Sequence, residues 1–301
     1  RMYANRDLRL ALFEAAKEAS EIAWHTRSEA VRRTRGPHGV EVELDDGRVL
    51  AGSLLVAAEG RQSPTRIEEG MPVAKWDYRH RAMVTALVHE KPHGNVALEV
   101  FYPAGPFALL PLLDLPGGRH RSALVWTVAE KDAAGMLALS EHAFLAEVNK
   151  RMNGLFGQIE LAAPVMSYPL NFHHAGRIVA DRLALIGDAA HGMHPIAGQG
   201  LNLGLRDVGA LVEVLADGMR LGLEPGDAQL LARYERWRSL DNLTVMAVTD
   251  TITRLFGISG RLPSAIRRLG MGMVQRLPPL KRLFMDEARG MSGKLPELLR
   301  A

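Results

Sequence analysis

The chain has 301 residues, of which 47% are hydrophobic and 24% charged, and its formal net charge is +3. This balance is typical of a globular protein, excludes a disordered or fibrous chain, and gives no indication of nucleic-acid binding. Because there is no cysteine, disulfides, thiolate metal sites and cysteine nucleophiles are excluded as well, and no apolar run approaches the ~20 residues of a membrane span.

Helix and strand patterns alternate in the first part of the chain. Apolar residues recur at helical spacing over Leu8–Ser20, whereas Val40–Leu44 alternates with the period of a half-buried strand. Asp45-Asp46-Gly47 predicts a hairpin turn, because glycine supplies the positive φ of tight turns. Leu54–Ala58 is a continuous apolar run, typical of a strand covered on both faces, and it ends in Glu59-Gly60-Arg61.

Short strand patterns dominate from about Ile67 to Ala175, where clusters of Pro, Gly and His separate them. The predicted strands are Arg81–Val88, Val96–Tyr102, Phe107–Leu112 and Ser122–Val128. One helix, about Ser140–Met152, interrupts them. This combination predicts an antiparallel sheet inserted as a second domain.

A buried-strand pattern returns at Asp181–Gly187, followed by a glycine-rich loop and helices over about Leu201–Met219 and Ala228–Phe256. The tail, Arg261–Ala301, holds nine Lys and Arg against three Asp and Glu. Its apolar residues recur at helical spacing, which fits two structures. One is a helix on an anionic membrane surface, and the other is a helical cap with a solvated basic face.

The loop after the strand at 183–186 is the most informative segment. It places Gly187-Asp188, Pro195, Gly198-Gln199-Gly200 and Asn202 within 16 residues. A carboxylate beyond the carboxyl end of such a strand can accept hydrogen bonds from a sugar-alcohol hydroxyl, because open α/β sheets bind ligands there. The glycines allow the backbone to approach a flat ligand, and the N–H groups of the next helix favour negative charge on it.

This loop resembles the second flavin-binding signature of the FAD-dependent aromatic hydroxylases, the para-hydroxybenzoate hydroxylase superfamily. The resemblance implies that Asp188, after Gly187, binds the ribityl chain of FAD, and that the following residues lie along the isoalloxazine ring. Those residues are Pro195, Gly198, Gln199, Gly200, Leu201 and Asn202.

A second segment, Leu54–Arg66, is similar to the Asp-Gly motif with which the family binds both FAD and NAD(P)H. Glu59 replaces the aspartate of that motif, and Gly60 and Arg61 follow. The charge is therefore kept, one methylene further from the backbone. The resemblance implies FAD as cofactor and NAD(P)H as co-substrate.

Further segments narrow the resemblance to the ubiquinone-biosynthesis hydroxylases. They are Asn5–Arg9, Trp76–Tyr78, Glu90–His93, Phe101–Pro103, Gly105–Leu112 and Gly290–Pro296. The implied fold class is α/β, with a partial Rossmann-like FAD-binding domain and an inserted antiparallel sheet. In that fold, residues 1–66 and 178–256 are parts of the FAD-binding domain, 67–177 form the substrate domain, and 257–301 form a C-terminal helical region.

The resemblance implies a flavin monooxygenase that hydroxylates the aromatic ring of a polyprenylated ubiquinone precursor with O2 and NAD(P)H. The strand at 105–112 would face that ring. The implied location is cytoplasmic, with peripheral contact at the inner membrane or membership of a biosynthetic complex as further expectations, and with no nucleic-acid partner. The catalytic side chains stay unidentified, because the flavin carries the chemistry.

The family's pyrophosphate-binding unit, a strand, a Gly-x-Gly-x-x-Gly turn and a helix, has no counterpart in this sequence. Leu203, for example, stands where a third glycine would follow Gly198 and Gly200. We therefore expect a C-terminal portion of a hydroxylase that on its own binds FAD weakly and is colourless. Two alternatives are a truncated, non-catalytic homologue that serves binding or assembly, and another FAD oxidoreductase of the superfamily.

The 11 histidines raise the possibility of a metal site. His191 and His194 lie three apart near Asp188, while His80, His89, His93 and the pair His173-His174 are scattered along the chain. There is no His-Glu-x-x-His helix, so we expect no metal site. A Gly-x-Ser-x-Gly elbow is also missing, which argues against a triad hydrolase.

Overall fold

The computed structural model describes residues 4–102, 105–192, 198–239, 241–242 and 295–300. Its helices are α1 (Asn5–Glu18), α2 (Pro64–Glu68), α3 (Glu130–Leu137), α4 (Glu141–Met152) and α5 (Gln199–Arg220), and residues 228–239 are also helical. Its strands are β1 (Ala30–Gly36), β2 (Gly39–Leu44), β3 (Val49–Gly52), β4 (Leu55–Ala57), β5 (Val73–His89), β6 (Leu98–Tyr102), β7 (Gly105–Pro111), β8 (His120–Ala129), β9 (Ile159–Leu161), β10 (Met166–Ala175), β11 (Val179–Ala180), β12 (Leu183–Leu185) and β13 (His191–Gly192).

The chain folds into two compact units. The first is drawn from Arg1–Thr26 and Arg79–Leu170, and the second from Arg27–Tyr78 and Asn171–Ala301. The boundary between Tyr78 and Arg79 falls inside β5, and the boundary between Leu170 and Asn171 falls inside β10. The functional assignment of the four sequence segments stays a prediction.

The first unit contains an antiparallel sheet in which β6, β7, β8 and β5 are consecutive neighbours. Alternate residues of these strands, such as Phe107 and Leu124, are fully buried with Val148 of α4. Helix α4 begins at Ser140, whose hydroxyl accepts the Ala143 N–H at 3.3 Å. The predicted antiparallel sheet and the predicted helix over 140–152 are confirmed.

Helix α3 was not predicted, because it follows β8 directly at Ala129 with no polar capping residue to signal its start. Helix α1 confirms the pattern at Leu8–Ser20, but none of its residues is buried. Its apolar side chains include Leu12, which is 56% exposed. The described part of the chain therefore does not cover the predicted apolar face of α1.

The second unit contains β4 and β12 as a parallel pair, with β11 antiparallel to β12. Leu183 and Leu185 of β12 are fully buried against α5 and the helix at 228–239. The prediction that Leu54–Ala58 is covered on both faces is wrong, because Val56 is 39% exposed and only Ala57 of β4 is buried. Within the described residues, β4 has β12 as its one sheet neighbour.

The predicted hairpin is confirmed by β2 and β3, which pair antiparallel around Gly47 at φ +83°. Most of the basic tail, and the predicted helix beyond 242, lie outside the described residues. Residues 295–300 are described, and there the Glu297 N–H donates to Glu213 of α5 at 2.8 Å. No helix in the described ranges is both long enough and apolar enough to cross a bilayer.

Candidate functional site

The two sequence motifs lie side by side because β4 and β12 are parallel neighbours. Leu55 pairs with Leu183 and Ala57 with Leu185, so both strands end at the same edge. The chain beyond β4 reaches Glu59-Gly60-Arg61, and the chain beyond β12 reaches Gly187-Asp188. Ligands of parallel sheets bind at such an edge.

Arg61 joins the two motifs. Its Nε donates to Asp188 Oδ2 at 2.9 Å, and its Nη1 donates to Asn171 Oδ1 of β10 at 2.8 Å. The side chains of Arg61 and Asp188 are 36% and 42% exposed. Since a carboxylate has about four acceptor positions, Asp188 can accept further hydrogen bonds from a ligand.

Helix α5 holds the turn at Gly187 in place through two contacts. Gly187 has φ +58°, and a Cβ built on Gly204 would lie only 3.4 Å from the Gly187 Cα. Asp207, also on α5, accepts the Gly187 N–H at 2.8 Å. The position of Asp188 is therefore tied to the position of this helix.

Helix α5 begins at the predicted flavin loop. Gly198 precedes it at φ +62°, and no side chain caps its first N–H groups. A Cβ on Gly200 would meet nothing within 4 Å. Leu201 is 50% exposed, Asn202 is half-buried, and Gln199 is the first helical residue. Pro195 and His194 lie outside the described residues.

Glu59 has a structural role in this unit. Its carboxylate accepts the Thr65 N–H at 3.1 Å, the hydroxyls of Ser63 at 2.5 Å and Thr65 at 2.8 Å, and Arg33 at 3.0 Å. Burial opposes its ionisation, but these hydrogen bonds and the Arg33 charge outweigh that effect and lower the pKa of Glu59. Glu59 therefore anchors α2, and contact with a cofactor stays a prediction for this residue.

Two further residues hold the motifs together. His173 Nε2 lies 2.8 Å from the Asp188 carbonyl oxygen, and Arg66 donates to the carbonyls of Ala189 at 2.7 Å and Arg61 at 2.6 Å. Burial is the main cause that lowers the pKa of His173. Sequence reasoning did not identify these two contacts, because both are made to backbone carbonyls, whose positions depend on the fold and not on a residue type.

His191 lies in β13 and is buried, with its Nε2 2.6 Å from Asp207 Oδ2. Its partner is thus a carboxylate of α5. The described ranges contain no group of three or more His, Asp or Glu arranged to hold a metal ion.

These residues fit a flavin. Asp188 is an accessible acceptor for a sugar-alcohol chain, and the start of α5 offers N–H groups that no side chain caps. The backbone at Gly200 can be approached closely, because no atom of the described residues lies within 4 Å of a Cβ added there. The dipole of α5 would stabilise the edge of a flavin ring that becomes negative when the flavin is reduced.

Comparison with known proteins gives the same result. The family model described as FAD binding domain matches residues 1–249. The ubiquinone hydroxylase UbiL of Rhodospirillum rubrum is 44% identical over 298 residues, which cover 98% of this chain and 68% of that protein. The 3-demethoxyubiquinol 3-hydroxylase of Escherichia coli is 32% identical, over 96% of this chain and 73% of that protein.

Solved structures share the fold. PqsL of Pseudomonas aeruginosa, a probable FAD-dependent monooxygenase, is 25% identical with a TM-score of 0.66, over 83% of this chain and 69% of that one. The p-nitrophenol 4-monooxygenase PnpA of Pseudomonas putida is 18% identical with a TM-score of 0.77, over 97% and 74%, and this likeness concerns the fold alone. The chain spans about two thirds of the length of its R. rubrum relative. It belongs to the FAD-dependent aromatic hydroxylases and groups with those of ubiquinone biosynthesis, as its motifs predicted.

Proposed function

We propose that this protein is an FAD-dependent monooxygenase that hydroxylates the aromatic ring of a polyprenylated ubiquinone precursor, with NAD(P)H and O2 as co-substrates. The observation that carries this proposal is the Asp188–Arg61 pair at the ends of two adjacent parallel strands, facing the start of α5. The family membership supports FAD as the cofactor.

Bound FAD would supply the electron transfer and the activation of O2. The chain's own residues bind and orient. Asp188 accepts hydrogen bonds from the ribityl hydroxyls, and Arg61 holds its carboxylate in place through an ion pair of 2.9 Å. The first N–H groups of α5 stabilise negative charge on the ring.

The substrate side of the proposal concerns β7. Phe107 and Leu109 of this strand belong to the buried core of the first unit. Because side chains alternate across a strand, Ala108 and Leu110 lie on the opposite face. We propose that this face, small and apolar, lies along the substrate ring. A polyprenyl chain also implies that the enzyme works in the cytoplasm in peripheral contact with the inner membrane.

The test is oxygen transfer from 18O2. The protein is supplied with an excess of FAD, because weak binding is expected, together with NAD(P)H and a short-chain prenylated phenol. The products are analysed by mass spectrometry. We expect one 18O atom in the ring. Oxidation of NAD(P)H that depends on the phenol but yields only hydrogen peroxide would contradict the proposal.

A further inference from the structure

Asp207 is a fully buried carboxylate at the centre of the second unit. Its Oδ1 accepts Arg238 Nε at 2.7 Å, and its Oδ2 accepts both the Gly187 N–H at 2.8 Å and His191 Nε2 at 2.6 Å. These partners come from three parts of the chain: the helix at 228–239, the turn after β12, and β13. One side chain thus fixes the relative position of all three.

The surroundings keep this carboxylate ionised. Burial raises the pKa of Asp207. The charges of His191 and Arg238, and the hydrogen bonds that both residues make to Asp207, lower it by more, so the pKa of Asp207 is lowered overall. Arg238, itself fully buried, also donates to Asp241 and to Asn242 at 2.8 Å. A charge-assisted bond from the Gly187 N–H to an ionised acceptor is stronger than a neutral one.

We infer that Asp207 is a positioning residue for the flavin: by holding the Gly187 N–H, it sets the turn that presents the Asp188 carboxylate to the ribityl chain. The inference rests on the proposed function. Two observations carry it: the bond is made to the residue directly before Asp188, and Gly204, one helical turn earlier on α5, touches the same turn. Asp207 itself has no exposed surface, so it acts through Asp188 rather than on the ligand.

The amide variant Asp207→Asn distinguishes this role from a general contribution to packing. Arginine stays charged and demands an oxygen, so the Asn oxygen faces Arg238. Its NH2 group then faces the Gly187 N–H, and two donors meet. The variant therefore keeps the size of the side chain, loses the bond to the turn, and places a donor instead of an acceptor opposite His191 Nε2.

The matched control is Glu235→Gln. Glu235, on the helix at 228–239, also accepts a backbone N–H, but from Ile178 at 2.9 Å and not from Gly187. Amide hydrogen exchange is measured on the flavin-free proteins for the peptide that contains Gly187. The Kd for FAD is measured by flavin fluorescence, and folding is monitored by circular dichroism.

We expect Asp207→Asn to raise both the exchange rate at Gly187 and the Kd for FAD by about tenfold, and Glu235→Gln to leave both within about twofold. If Asp207→Asn does not fold, Asp207→Glu keeps the charge but displaces it, and the same two changes are expected. Unchanged FAD affinity in the folded variant overturns the inference, even if exchange at Gly187 rises. The unmodified chain is expected to bind FAD weakly, so the proposed function would instead be overturned if it bound no FAD at the highest concentration titrated.

Discussion

Asp188 and Glu59 are both acidic and both follow a strand of the same sheet, yet their surroundings give them different roles. Asp188 has one salt-bridge partner and a 42% exposed side chain, so it keeps acceptor positions for a ligand. Glu59 receives four hydrogen bonds from Ser63, Thr65 and Arg33 and directs its carboxylate to α2. The number of partners within the chain thus separates a binding carboxylate from a structural one.

Replacing Asp188 with Ala is expected to weaken FAD binding. A hydrogen bond to a charged group contributes about 1.5–3 kcal/mol, so the Kd should rise by roughly 10- to 150-fold. Flavin fluorescence titration measures it. Asp217→Ala, the same change at an exposed ion pair near the end of α5, is the control and should leave the Kd unchanged. Equal affinities for the two variants would remove Asp188 from the flavin site.

Glu59→Gln is expected to act on stability. The amide cannot accept all the bonds that the carboxylate accepts, so the free energy of unfolding should fall by about 1–2 kcal/mol at neutral pH. Glu68→Gln is the matched control, because Glu68 pairs with the same Arg33 but is 50% exposed, and its change should stay within about 0.5 kcal/mol. Urea denaturation measures the free energy of unfolding of both variants. A smaller loss for Glu59→Gln than for Glu68→Gln would contradict the role of Glu59 in anchoring α2.

At the residue scale, sequence reasoning identified segments whose spacing is local, and their contact with a flavin stays a prediction. Gly187-Asp188 and Gly198–Asn202 were found from one short window, and the structure places them around the start of α5. It did not find the partners of Asp207, because His191 and Arg238 are 16 and 31 residues away along the chain. Only the fold brings such residues together.

At the scale of elements, helices and strands with one apolar face were predicted well. Helix α5 and strands β2, β7 and β8 show a clear period and match their patterns within a few residues. Strand β10 was not predicted, because two of its side chains are polar and bond to the loops that follow β4 and β12. Asn171 accepts from Arg61, and His173 bonds to the Asp188 carbonyl. A strand whose polar side chains bond to neighbouring loops does not alternate simply between apolar and polar residues.

Gly200→Val tests what lies beside α5. Left-handed backbone is needed at Gly198, whereas Gly200 lies within the helix and an added Cβ meets no atom of the described residues within 4 Å. Valine at Gly200 should therefore not disturb folding. If the flavin ring lies there, the Kd for FAD should rise about tenfold or more through steric overlap.

The control for that variant is Gly135→Val in α3, another helical glycine with nothing within 4 Å of an added Cβ. Thermal denaturation should give similar melting temperatures for both variants, and only Gly200→Val should lose flavin. Normal affinity and normal flavin reduction in Gly200→Val would show that the loop does not lie against the ring.

At the scale of the whole molecule, both units contain histidines whose protonation the fold opposes. Burial is the largest cause that lowers the pKa of His89 in the first unit and of His173 and His174 in the second. The ring of His89 also lies about 6 Å from the rings of His93 and His120, so His89 and His93, which are separate in the sequence, are neighbours in the fold. Protonation of His89 would therefore place a charge in a buried position beside these two rings.

Stability should therefore fall as the pH is lowered below about 6.5. A lowered folded-state pKa means that the unfolded chain binds protons first, so the stabilisation is complete above the ordinary pKa and is lost as the pH falls towards the folded value. Urea denaturation at pH 7.5 and 5.5 measures this. The lowered pKa values of Glu59 and Asp207 do not contribute in this range, because their ordinary values are 4.5 and 3.8.

A substitution at His89 measures how much of the loss of stability at low pH comes from this histidine. His89→Gln should reduce the loss of stability between these two pH values, whereas His38→Gln, at an exposed position, should not. An identical pH dependence in the unmodified protein and the His89 variant would show that this histidine is not responsible.

The close approach of Gly187 and Gly204 has a consequence for how this protein can change over evolutionary time. A Cβ added at Gly204 would lie 3.4 Å from the Gly187 Cα, which is the limit of an ordinary contact, so a side chain that extends beyond Cβ would crowd the turn. Gly187 is restricted in addition by its φ of +58°, which side chains rarely adopt. We therefore expect relatives to keep small residues at both positions, and a larger residue at one of them to be accompanied by a change in the neighbouring turn or helix.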